Sequence, residues 1–153
     1  MQFLIKKLNF YIKEVGYRNI KGKNILFLFI VTNLFYAIML LVTIPKVMDF
    51  AGGMKIFDLM PMGYEPKYAL SLLDKMGNEG RKAYLYCQLP IYLIYPLLFG
   101  VTYSLLLAYF LEKLERLKAE YFYLCLLPLI AGFFDYAENF GIISMLQIGR
   151  AHV

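Results

Sequence analysis

Three stretches of this chain carry no charged side chain, and their lengths limit what it can fold into. They cover the 21 residues 25–45, the 29 residues 83–111 and the 14 residues 121–134. The hydrocarbon core of a bilayer is about 30 Å thick and takes roughly 20 residues of helix. The first two stretches are long enough to cross it. The third crosses only if its helix continues through Asp135, Glu138 and Asn139 into Phe140-Gly141-Ile142-Ile143. Nothing in Phe133-Phe134-Asp135-Tyr136-Ala137 breaks a helix, so a third span over 121–146 is predicted.

Composition agrees. Hydrophobic residues make up 61% of the 153 residues and charged ones 18%, where a soluble domain has roughly 45–50% and about 25%. A soluble enzyme domain and a disordered chain are both disfavoured. The expected fold is all-α: a polytopic transmembrane helical bundle, multi-pass in the cell membrane. The first stretch is too long for a cleaved signal peptide and follows a 24-residue basic segment, so it reads as a retained anchor.

The net charge of +5 points to head groups and topology rather than nucleic acid. Residues 1–24 hold Lys6, Lys7, Lys13, Arg18, Lys21 and Lys23 against Glu14 alone. The basic excess predicts a cytoplasmic N-terminus, an outer loop over 46–82, an inner loop over 112–120 and a third helix running outward. In residues 1–24, Leu4, Ile5, Leu8, Tyr11, Ile12 and Val15 recur at helical spacing, with lysines opposite. That pattern suits an interfacial helix on anionic head groups of the lipid bilayer, or one packed on a partner membrane protein. In the outer loop, Pro66 suits a helix start and Gly77 its end, so a short helix is expected near 66–76.

The second span, 83–111, is about 43 Å long at helical rise. It contains Pro90 and Pro96, which deprive the carbonyls of Tyr86 and Tyr92 of their helical donors. A bend is expected there, with the freed carbonyls satisfied by neighbours or water. Gln88, Tyr92 and Tyr95 lie along one face of this span. On the third span, Asp135, Glu138 and Asn139 stand three and four residues apart and address nearly one side. Antiparallel packing would level them with Gln88, and Arg81 could reach Asp135 or Glu138. The expected polar cluster is Arg81, Gln88, Tyr92, Tyr95, Asp135, Glu138 and Asn139, with Asn33 and Tyr36 extending it.

Two readings of that cluster stay open. Intramembrane carboxylates often mark a substrate, ion or proton pathway, which makes Asp135 and Glu138 catalytic candidates in a membrane enzyme or carrier handling a lipid or small molecule. Alternatively the cluster is architectural, Arg81 neutralising a carboxylate, in a non-catalytic helper or subunit. No cofactor, metal or disulfide is expected. Cys87 and Cys125 fall near opposite ends of adjacent helices, on the order of 20 Å apart and beyond disulfide reach. There is no Cys/His cluster, and Gly52-Gly53 and Gly77/Gly80 read as loop punctuation rather than a phosphate cradle.

The last six residues, Ile148-Gly149-Arg150-Ala151-His152-Val153, back-translate as ATC GGA AGA GCA CAC GTC, part of a widely used sequencing adapter whose next codon is a stop. Residues 147–153 are therefore expected to be an artefact. The native gene would run past Leu146, a fourth span would be lost, and His152, the only histidine, would carry no functional weight.

Overall fold

A computed structural model describes residues 21–116 and 119–148. The expectations for the basic segment 1–20 and for the end of the chain after Ile148 lie outside those residues. All regular structure in the described residues is helical. Helix α1 (Gly22–Ile38) passes through a π-turn (Met39–Thr43) into α2 (Ile44–Phe50), and a 3-10 turn (Phe57–Leu59) follows in the connecting loop. Helix α3 (Pro66–Ala83) continues through a second π-turn (Tyr84–Gln88) into α4 (Leu89–Lys113). Helix α5 (Ala119–Ile148) ends the series.

Three helical segments among the described residues are long and apolar enough to cross a membrane: Gly22–Phe50, Pro66–Lys113 and Tyr123–Gln147. Their outward faces are apolar. Leu41 is 77% exposed and Phe133 70%, with Phe27, Ile30, Val42 and Phe134 also uncovered. A water-facing helix keeps such positions polar, whereas lipid accepts them.

The first helix does not stop at Pro45, where the charge-free run ends, but continues to Phe50. The π-turn explains how. Ile44 donates its N–H to the Met39 carbonyl, five residues back, and the widened turn delivers the chain to Pro45, which has no N–H to give. The same device precedes Pro90, where Leu89 donates to the Tyr84 carbonyl. Each proline is thus accommodated by a local change of helical register.

Pro66 opens α3, and Gly77 interrupts it at φ 56°, ψ −167°. That conformation is essentially restricted to glycine. The helix therefore breaks at Gly77 and resumes in the same direction of sequence, so the stretch that leads into the second span starts as a separate helical segment.

The chain divides into two compact units, and the division falls inside the long helices. Of the described residues, the first holds 21–33, 96–116 and 119–134, the second 34–95 and 135–148. In the first unit, α1, α4 and α5 meet through small and hydroxyl residues. Thr32 Oγ1 and Thr102 Oγ1 are hydrogen-bonded at 2.8 Å, both buried. The rings of Phe29 and Tyr103 meet edge to face at 6.0 Å. Gly132 lies so close to the Pro96 carbonyl oxygen that a Cβ there would sit 2.7 Å from it, and a Cβ on Gly100 would sit 3.2–3.3 Å from Leu129 and the Pro128 carbonyl. Glycines on α4 and α5 thus let the two backbones approach, as small residues do in membrane helix pairs.

In the second unit a compact apolar core gathers Ile44, Val47 and Ala51 with Ile56 and Phe57 from the loop, Leu72 and Met76 from α3, and Ile142 and Leu146 from α5. The 51–65 loop is therefore part of the core, held down by Phe57, which packs against Tyr64 and stacks on Tyr84 at centroid distances of 4.8 and 6.3 Å.

Candidate functional site

The second unit contains most of the polar side chains that the sequence singles out, but their partners differ from those expected. Arg81 is buried, and its Nε and Nη2 both donate to the Leu73 carbonyl, at 3.2 and 3.1 Å. Leu73 lies one turn before the break at Gly77, where helical carbonyls lose their forward donors. A guanidinium there satisfies such a carbonyl and lies at the negative end of the helix dipole. Arg81 is thus spent on its own helix. The expected pair with Asp135 or Glu138 does not form, and the only ion pair among the described residues is the exposed Lys82–Glu79, at 2.8 Å.

The prolines account for a second set of bonds. Pro96 leaves the Tyr92 carbonyl without its helical donor, and Asn139 Nδ2 on α5 donates to that oxygen at 2.9 Å. One turn away on the same helix, Tyr136 donates its hydroxyl to the Leu93 carbonyl at 2.8 Å. Asn139 is nearly fully buried. Its amide therefore repairs a defect that the sequence creates four residues upstream of Pro96, and it holds α5 against the second span at one register. Tyr95 stacks on Tyr36 with centroids 5.8 Å apart. Asn33, by contrast, belongs to the first unit and turns back onto its own helix, donating to the Phe29 carbonyl at 2.7 Å.

A third group is one the sequence does not suggest. Asp58, carried by the 3-10 turn of the loop, accepts a hydrogen bond from the buried Tyr84 hydroxyl. Burial pushes the Asp58 carboxyl up from 3.8 to about 6; the Tyr84 bond pulls it back in part, and the charge of Glu138 pushes it further up. The Tyr64 phenol beside it is also raised, first by its own burial and then by the charges of Glu138 and Asp58. Tyr92 lies within electrostatic reach of Asp58, Gln88 and Glu138. Gln88 is 0% exposed, and although it lies near the Tyr92 phenol, neither its Oε1 nor its Nε2 makes a well-formed hydrogen bond. Arg81 Nη1 is likewise buried without a partner. A sequence signal for Asp58 exists in hindsight: it is a single carboxylate inside the apolar run Ile56-Phe57-Asp58-Leu59-Met60.

Of the catalytic candidates, Asp135 is half-buried and Glu138 exposed. They influence one another electrostatically, but neither has an ion-pair partner among the described residues. A groove of about 390 Å3 lies in the first unit, where Gly22, Ile25, Leu26 and Phe29 face Leu106, Tyr109 and Phe110. Its wall is aliphatic and aromatic and contains no carboxylate. Cys87 and Cys125 are both free thiols.

No family model, curated protein or solved structure matches this chain.

Proposed function

We propose that this chain is a non-catalytic helper or subunit of the cell membrane, with its N-terminus in the cytoplasm and its polar side chains serving to fasten the helices. One observation carries this reading: most buried polar side chains in the described spans are spent on backbone carbonyls or on one another, Gln88 and Ser104 being the exceptions. Asn139 holds the Tyr92 carbonyl, Tyr136 the Leu93 carbonyl, Arg81 the Leu73 carbonyl, and Thr32 holds Thr102. Such bonds give register and rigidity rather than turnover. Asp135 and Glu138, which have no ion-pair partner among the described residues, are then available to a basic group of a partner membrane protein. The N-terminal lysines meet anionic lipid.

Orientation is tested with Met62, which is 99% exposed in the loop. In a background with Cys87 and Cys125 replaced by alanine, Met62→Cys should react with a membrane-impermeant maleimide from outside intact cells. Labelling only after lysis would invert the topology.

A second reading, a carrier or enzyme acting on a lipid or small molecule through Asp135 and Glu138, is favoured by the absence, among the described residues, of an ion pair for either carboxylate and by the unpartnered amide of Gln88. Asp135→Asn and Glu138→Gln separate the two. The helper reading expects both variants to insert and to unfold within about 0.5 kcal/mol of the parent, since neither carboxylate holds an internal bond, while co-purification with a membrane partner is lost. Unchanged stability and unchanged co-purification, with loss of a transported or converted small molecule, would favour the second reading.

A further inference from the structure

The loop that joins the first two spans is fastened to the second unit by two kinds of contact. Ile56 and Phe57 are fully buried in the apolar core, and Phe57 contacts the rings of both Tyr64 and Tyr84. The next residue, Asp58, carries a carboxyl group to the buried Tyr84 hydroxyl. Backbone bonds close the turn around it: Leu59 N–H to the Ile56 carbonyl and Met60 N–H to the Phe57 carbonyl, each at 3.0 Å. Tyr68 adds a bond from its hydroxyl to the Lys55 carbonyl at 2.9 Å. The apolar staple cannot seat without bringing the carboxyl in with it.

Among the described residues, the titratable groups that interact electrostatically with Asp58 are acids and phenols. Tyr84 comes from the π-turn after α3, Tyr64 from the loop itself, Tyr92 from α4 and Glu138 from α5. No basic side chain is among them. An ionised Asp58 keeps the Tyr84 bond but is partly buried and opposed by the charge of Glu138. A protonated Asp58 still accepts from Tyr84 through its carbonyl oxygen and brings no charge into the core.

We propose that Asp58 is a proton-operated latch: proton uptake at this carboxyl seats the 51–65 loop on the second unit, and proton release loosens it. The sign follows from linkage. The seated carboxyl titrates near 6, and the same group on a released, hydrated loop near its ordinary 3.8. Between those values the seated state holds the proton more tightly, so seating weakens as pH rises, about tenfold per unit and about 100-fold in all. Above roughly pH 6 seating stays at its weaker level; below roughly pH 4 it is strongest. The pH sensed is that of the compartment on the loop's side of the membrane. The loop covers Tyr84, so its release would bring water towards the buried, unpartnered amide of Gln88 further along the same helical stretch.

The test is amide hydrogen exchange on the full chain in lipid nanodiscs, followed by mass spectrometry from pH 4.5 to 7.5 and corrected for intrinsic exchange. Protection of the amides in residues 54–60 should fall about 30-fold across that range, the part of the change that lies above pH 4.5, while amides of α4 stay constant. Asp58→Asn should hold the loop protected and abolish the pH dependence. Glu138→Gln, which removes the opposing charge, should move the midpoint to lower pH. Flat protection in the parent chain overturns the latch, and so does pH dependence that survives Asp58→Asn. Should Asp58→Asn fail to insert, the parent titration and the direction of the Glu138→Gln shift still decide the matter.

Discussion

Gly132→Leu should prevent α4 and α5 from packing in the first unit. A Cβ at this position falls 2.7 Å from the Pro96 carbonyl oxygen, a backbone atom that cannot rotate away. Overpacking a tight contact costs about 1–3 kcal/mol when side chains can yield. Here the backbones themselves must separate, so about 3 kcal/mol or more is expected, with loss of the folded species in detergent. A glycine series checks the cause. Gly132→Ala should cost about 2 kcal/mol, on the same overpacking scale. Gly100→Ala should cost less, because its nearest atoms lie at 3.2–3.3 Å and include the flexible Leu129 side chain. Gly141→Ala meets nothing within 4 Å and should be neutral or stabilising by up to about 1 kcal/mol through helix propensity. Unfolding by increasing fractions of a denaturing detergent ranks the three. Equal costs at Gly132 and Gly141 would show that close approach is not what glycine supplies.

Asn139→Leu should be the most damaging of the polar substitutions. It removes the donor to the Tyr92 carbonyl and leaves that oxygen bare, since residue 96 has no N–H. Hydrogen bonds between membrane helices average about 0.6 kcal/mol and reach about 1.7, because a freed group ordinarily finds another partner. Tyr92 lacks its in-helix alternative, so about 2 kcal/mol is expected, nearer the cost of an unsatisfied buried carbonyl. The mechanism has its own control. Pro96→Ala restores a backbone N–H four residues after Tyr92. In that background, Asn139→Leu should cost less than about 1 kcal/mol, the shortfall being the coupling energy of a double-mutant cycle. The same cost in both backgrounds would detach Asn139 from the proline.

The Pro96–Asn139 relation also marks how far the sequence carries the site. That Tyr92 would need an outside donor is legible from Pro96 alone, because the missing N–H is a covalent fact. That Asn139 supplies it is not, because the choice depends on the rotation of α5 about its axis. The same limit explains Arg81. Its place at the start of the second span suggests an ion pair with Asp135 or Glu138, yet Gly77 frees a carbonyl at Leu73, and the guanidinium bonds that acceptor instead. The π-turns before Pro45 and Pro90 are not legible in the sequence, because a proline announces a lost bond and not the means of relieving it.

Asp58 marks the other boundary. Its loop carries no helical period of its own, so the burial of Ile56 and Phe57, and with it the seating of the carboxyl on Tyr84, follows from long-range packing. The helices long and apolar enough for a membrane could be read directly from the residues, because transfer into lipid is a sum over side chains and hardly depends on which neighbour each one meets. Partner choice is a matter of direction: a hydrogen bond needs one atom aimed at another, and only the packed arrangement of the helices and their loop decides which atoms those are.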